Sequence, residues 1–181
     1  MSGRHWIWAA LAVAALCGAC REKAEEAAVE AAIARESGGR VQADLSGGQV
    51  KIKTDQGETT YAPDGTASLP ADFPKDVFVY PGAALISSHK QEHTYMLNLQ
   101  TADDARKVAD AYRAAMKDQG WSEENFAETT DGIIVEFRNE NRTATANIIK
   151  DEGRTAIMVF VQTEEPASGQ APPPPEEPEA P

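Results

Sequence analysis

The spacing of hydrophobic residues changes several times along the chain, and each change marks an element. Residues 21–36, REKAEEAAVEAAIARE, place Ala28, Val29, Ala32 and Ile33 at helical spacing among Glu and Ala. This predicts a solvated helix with a thin apolar stripe, a stalk over 20–37 that ends at Gly38–Gly39. From Arg40 the period shortens to two. Val41, Ala43 and Leu45 alternate with polar residues, as do Val50 and Ile52, and Ser46-Gly47-Gly48 and Asp55-Gln56-Gly57 supply turn chemistry. A three-stranded meander over 38–65 results, with Lys51 and Lys53 on its polar face. Strands this short do not hold a fold alone and must lie on something else.

The stretch PDGTASLPAD leads into the largest unit, 66–165, which opens with FPKDVFVYPGA. Pro74 and Pro81 each push the preceding residue to an extended conformation, and Pro81-Gly82 marks a turn. Strands are expected near 83–89 and 94–100, the second with Tyr95, Leu97 and Leu99 on one face. Over 102–119, Ala105, Val108, Ala109, Tyr112 and Met116 form a single helical stripe. Thr101 is the expected N-cap, with Asp103 and Asp104 in the first turn. Gly120 falls where a left-handed residue ends a helix, which places Trp121 to fold back on Met116. Three strands follow, near 133–138, 143–150 and 155–162. The expected fold is α+β: one helix on an antiparallel sheet in the order β-β-α-β-β-β, preceded by the meander and the N-terminal helix.

The last of these strands, TAIMVFVQ, is apolar on both sides. Ile157, Val159 and Val161 form one face, Met158 and Phe160 the other. Burying a Met or Phe side chain is worth about 1.5–3 kcal/mol, so a cover for Met158 and Phe160 is expected. Two covers are open: the meander, through Val41, Leu45, Val50 and Ile52, or a partner protein docking on the pair. Residues 166–181, acidic and rich in proline, have no means of burying apolar surface and read as a disordered tail of polyproline II character.

The N-terminus alters the picture. An eleven-residue apolar run from Trp6 to Leu16 follows Arg4, too short to span about 30 Å of hydrocarbon but suited to a signal peptide. It leads through Cys17, Gly18 and Ala19 into Cys20. This resembles the lipobox of bacterial lipoproteins, with Cys17 standing where Leu, Val or Ile is usual. The resemblance implies removal of residues 1–19, lipidation of Cys20 and attachment to a membrane of the cell envelope, facing the periplasm. Arg21 after the cysteine, instead of Asp, favours the outer membrane. A wider resemblance runs over most of 16–163, to a group of bacterial lipoproteins without an assigned activity. They share a Glu/Ala helix, a GG-x-V-x-I-x-T-x-x-G hairpin (residues 47–57 here), an FPKD-x-x-x-YPGA segment (73–83) and a helix ending in Gly-Trp, here Gly120-Trp121. It implies architecture and attachment, and brings no catalytic residues.

Charge narrows the partners. The chain has 17 basic and 29 acidic residues, a net −12, and loss of residues 1–19 removes Arg4 and no acid, leaving −13. Anionic lipid and nucleic acid both repel such a chain, which lacks the basic stripe that displaces counterions from phosphate. Acyl chains on Cys20 therefore have to supply the membrane affinity. With Cys17 removed and Cys20 acylated, no thiol remains for a disulfide or for redox chemistry.

Candidate chemistry is sparse. His89 and His93, with Glu92 and Met96 nearby, are the one set of metal-ligand types. However, His-x-x-x-His converges on a helix, and SSHKQEHTYM reads as a hairpin turn. There is no Gly-x-Ser-x-Gly elbow, no phosphate-cradling glycine loop and no calcium-loop aspartate series. Glu123–Glu124 and Asp103–Asp104 fit solvation and capping. No cofactor is expected. The chain reads as a lipid-anchored, non-enzymatic binding or structural module with an envelope protein as partner, the alternative being a small-ligand or metal-binding lipoprotein using the His89/His93 face.

Overall fold

A computed structural model describes residues 24–151 and 153–163. Cys17, Cys20 and the expected signal peptide and tail lie outside the described residues. The fold is α+β: two helices and a mostly antiparallel sheet of nine strands. Helix α1 covers 24–36. Strands β1 (Val41–Asp44), β2 (Val50–Thr54) and β3 (Glu58–Tyr61) form the meander. Strands β4 (Ala84–Gln91) and β5 (Thr94–Thr101) precede helix α2 (Ala105–Asp118). Strands β6 (Ser122–Glu128), β7 (Gly132–Asn139), β8 (Arg142–Asp151) and β9 (Arg154–Thr163) follow it. The sheet order is β1-β2-β3-β4-β5-β9-β8-β7-β6, so the last strand of the chain lies in the middle.

Four strands follow α2, where the hydrophobic pattern predicts three. The extra one, β6, has the sequence SEENFAE, in which Phe126 is the one large hydrophobe, and a bulge between Glu123 and Asn125 interrupts its pairing with β7. Acids and a bulge are devices that keep a sheet edge from pairing further, and they also erase the alternation by which a strand is recognised. Helix α2 begins later than its stripe suggests. Asp104 is the N-cap, its carboxylate accepting from the Arg106 N–H at 2.8 Å, while Thr101 is still part of β5. At the other end Gly120 has φ +85°, its N–H reaches the Lys117 carbonyl at 3.0 Å and the Trp121 N–H reaches Met116 at 3.0 Å. This pair of bonds is the glycine-terminated ending expected of that sequence.

The core lies between α2, the segment 70–83 and one face of the sheet. Val108, Ala109, Tyr112 and Met116 are buried on the helix, against Ile133, Val135 and Phe137 of β7 and Ala144, Ala146 and Ile148 of β8. Leu97 and Leu99 of β5 and Ile157, Val159 and Val161 of β9 continue the same face. The small alanines of β8 let α2 sit close, and the interstice lined by Tyr112, Met116, Phe137, Ala144 and Val159 has no room for a water molecule.

The meander does not form a second layer, contrary to the covering role that Val41, Leu45, Val50 and Ile52 were given above. β3 pairs with β4, Thr59 opposite His89 and Tyr61 opposite Ser87, so the three strands extend the same sheet edgewise. Gly57 permits this approach, since a Cβ there would collide with the Lys90 carbonyl of β4. α1 joins the meander through Glu30, whose carboxylate accepts from the Leu45 N–H at 2.8 Å.

Candidate functional site

The motif residues named from sequence fasten the segment 73–83 at several points along α2, and beyond the C-terminal end of that helix the geometry is that of a latch. Asp76, of FPKD, takes both guanidinium nitrogens of Arg142 at 2.9 and 2.6 Å. Its backbone carbonyl accepts from the Trp121 indole N–H at 2.7 Å, and Arg142 lies over the same indole at 5.0 Å. Bidentate pairing and stacking are what a planar guanidinium offers over an ammonium. The hydrogen bonds from Arg142 hold the Asp76 carboxyl below the usual carboxylate range, partial burial opposing them. Tyr80, of YPGA, donates to Asp103 at 2.7 Å, and Lys107 holds the same carboxylate at 2.8 Å. Phe73 meets Tyr95 edge-on at 5.5 Å. Thus FPKDVFVYPGA is strapped across the helix side of the sheet by its own side chains. These groups are satisfied by one another.

His89 and His93 are not brought together as a ligand pair. His89 is in β4, directly opposite Met96, with its Nδ1 within 2.8 Å of the Thr59 hydroxyl. His93 is in the turn beyond the Gln91–Thr94 pair, following Glu92 at φ +50°. Among the described residues no three of His, Cys, Asp and Glu come close enough to hold a metal ion. The described residues include open grooves, two of them large. One of about 580 Å³ lies beside Trp121, Arg113 and Glu123, the last two paired at 2.7 Å. The other, about 470 Å³, is lined by Leu69, Pro70, Phe73 and Phe78. Neither gathers titratable groups in a desolvated setting.

Met158 and Phe160 lie on the sheet face opposite α2. Alternation put them there, but the extent of that face is set by register, which a single sequence does not disclose. One rung runs Ile52, Thr59, His89, Met96, Phe160, Thr145 and Glu136 across seven strands. The next runs Val50, Tyr61, Ser87, Asn98, Met158, Asn147, Ile134 and Ala127. On either side lie Ala84, Gln100, Ala156 and Ile149, and Gln91, Thr94, Gln162, Thr143 and Arg138. Across these rungs the charged side chains are Glu136 and Arg138, both on β7, and at one end Arg154, paired with Asp151, reaches in to Gln100 at 2.8 Å. A quarter of the chain is charged, so the depletion is pronounced. Ile52, Tyr61, Met96 and Met158 are 40, 46, 38 and 36 % exposed, and no described element covers them.

Polarity also inverts along the sheet. On β4, β5 and β7–β9 the apolar side faces α2 and the segment 70–83. On the meander Lys51, Lys53 and Glu58 share that side, while Val50 and Ile52 join the open one. The meander therefore widens the open apolar face.

Residues 83–154 match the model of a family described as START domain-like. The match runs from β4 to the first residue of β9, well under half of the chain, and is a likeness of that portion in fold. No curated protein and no solved structure shows significant similarity to the chain. No described helix is long and apolar enough to cross a membrane.

Proposed function

We propose that this chain is a cell-envelope lipoprotein, anchored through acylated Cys20 and facing the periplasm, outer membrane favoured, that acts as a non-enzymatic binding or structural module. The observation that carries the binding part is the open sheet face. It combines exposed Met, Ile and Tyr with near-absence of charge, the composition that distinguishes the centre of a protein interface from ordinary surface. Burying Met158 and Phe160 under a partner recovers hydrophobic free energy that the isolated chain forgoes. The tight packing beneath α2 argues for a protein partner over a ligand held inside the fold. Helix α1 serves as the spacer between Cys20 and the sheet. The likeness over 83–154 bears on fold and adds nothing about activity.

The test has two arms. With labelled fatty acid, Cys20→Ala abolishes incorporation and membrane partitioning, while Cys17→Ala retains both; label on Cys20→Ala overturns the anchoring. With formaldehyde in intact cells, the protein yields crosslinked assemblies that disappear in Met158→Glu. Assemblies unchanged by that substitution place the binding surface elsewhere.

A further inference from the structure

Resting on the binding reading above, we infer that the occupant of the open face is a second copy of this chain, packed sheet against sheet about a two-fold axis parallel to the strands and passing between β5 and β9. A two-fold interface must be self-complementary, each patch meeting its own mirror position. Under this axis strands exchange places across the centre (β5 with β9, β4 with β8, β3 with β7) while each rung keeps its level.

The register makes that exchange match. In the first rung Met96 comes opposite Phe160, and His89 opposite Thr145. In the second, Tyr61 comes opposite Ile134, and Ser87 opposite Asn147. Apolar meets apolar and hydrogen-bonding meets hydrogen-bonding. Asn98 opposite Met158 is the one mixed contact of the second rung, and Thr59 opposite Glu136 lies at the rim of the first.

Charge limits where two copies can meet, and area and symmetry allow it on this face. Each mature chain carries a large negative charge, and copies repel wherever acids face each other. The open face is where they meet without juxtaposing like charges, and acids elsewhere are screened beyond about 8 Å at physiological salt. The area also suffices. Five strands over six residues, with the five residues of β2 and four of β3, at about 4.8 Å spacing and about 3.4 Å rise give roughly 600 Å² per copy. Two copies then bury about 1,200 Å², the lower end of what specific interfaces need. An axis along the strands also keeps both N-terminal ends at one level, so that two Cys20 anchors reach one membrane.

The test uses full-length protein in membranes and a thiol crosslinker spanning about 10 Å, the distance between packed sheets. The unsubstituted chain sets the background from Cys17 and Cys20. Co-expressed single variants Met96→Cys and Phe160→Cys (the two are neighbours within one chain and would link there if combined), and separately Tyr61→Cys with Ile134→Cys, give a dimer of twice the chain mass; Lys107→Cys, on the helix side, does not. Adding Met96→Glu to the Tyr61/Ile134 pair lowers the dimer yield about tenfold, because a two-fold contact carries each substitution twice. These positions are exposed or half-buried, and an unchanged thermal melt verifies that the variants fold. Equal yield from Lys107→Cys, or monomer in both pairs, overturns the inference. An adduct of another mass through the same cysteines overturns the second copy while keeping the binding reading. A dimer in protein that fails to partition with membranes keeps the inference while removing the anchor.

Discussion

The two faces of the sheet are made by the same strands and obey different rules. On the helix side, Leu97, Val135, Ile148 and Ile157 are fully enclosed and α2 fits so closely that no water enters. On the other side, the alternating residues are exposed or half-buried and mostly apolar or neutral, Glu136 among the exceptions, and bear on no described element. A face meant permanently for solvent would gain by carrying Lys and Glu at these positions, as the helix side of the meander does with Lys51, Lys53 and Glu58. What separates the faces is therefore not hydrophobicity alone. One is apolar and closed; the other is neutral and open, a state consistent with contact that forms after folding.

The largest expected effect breaks the closed face. Ile148→Ala removes a fully buried side chain beneath α2, where the neighbouring Ala144 and Ala146 offer nothing to refill the space. A loss of about 2–5 kcal/mol is expected, read as a shifted denaturation midpoint at constant slope. A loss below 1 kcal/mol shows that this layer repacks and that the two faces differ less in packing than in polarity.

The second effect concerns the latch that holds 70–83 over the core. Arg142→Gln removes both bonds to Asp76 and the stacking on Trp121. Both side chains of the pair are partly exposed, so solvent screening reduces the expected loss to about 1–2 kcal/mol. The sign with pH is determined. The folded Asp76 carboxyl titrates below its unfolded value because Arg142 favours the charged form. Its contribution is fully present above the unfolded value of about 3.9 and is lost as pH falls through the folded one. Arg142→Gln therefore costs less in acid than at neutral pH. A cost that stays constant through this range sinks the assignment of the stabilisation to the ion pair.

The contrast also explains what was legible in the sequence. Helix α2 and its ending could be read because the stripe Ala105–Met116 and Gly120-Trp121 are local signals. β6 could not, since its acids and bulge are edge devices that hide the period of two. Met158 and Phe160 stood out as a second apolar face within one strand. The open face as a whole did not, because Tyr61, Met96 and Ile134 join it only through pairings between distant strands. The same limit explains why the meander was placed on top of β9: its apolar side was correctly read, but edgewise addition to β4 depends on Gly57 and a register that alternation does not encode.

A smaller effect sharpens the open side. Met158→Thr should change the unfolding free energy of the isolated chain by no more than about 0.5 kcal/mol, as for surface positions generally. The same substitution should reduce crosslinked assemblies in membranes. A stability loss of the size seen for Ile148→Ala would mean that an element outside the described residues already covers this face.

The smallest effect tests a flaw in the closed face. The Tyr112 ring is buried between α2 and the sheet, edge-on to Phe78 at 5.0 Å, and its hydroxyl lies near the Tyr80 backbone without forming a hydrogen bond of ordinary geometry. Burial pushes its titration well above the ordinary tyrosine range, so it is neutral at neutral pH. A neutral hydroxyl without a partner still carries a desolvation cost, whereas the ring contacts survive its removal. Tyr112→Phe is accordingly expected to leave stability unchanged or raise it by up to about 1 kcal/mol, measured in the same denaturation experiment. A clear loss would show that the hydroxyl is bonded in solution, through a trapped water or a shift of the neighbouring Tyr80 backbone. The helix side would then contain a polar contact, and its description as uniformly dry would have to give way at this one position.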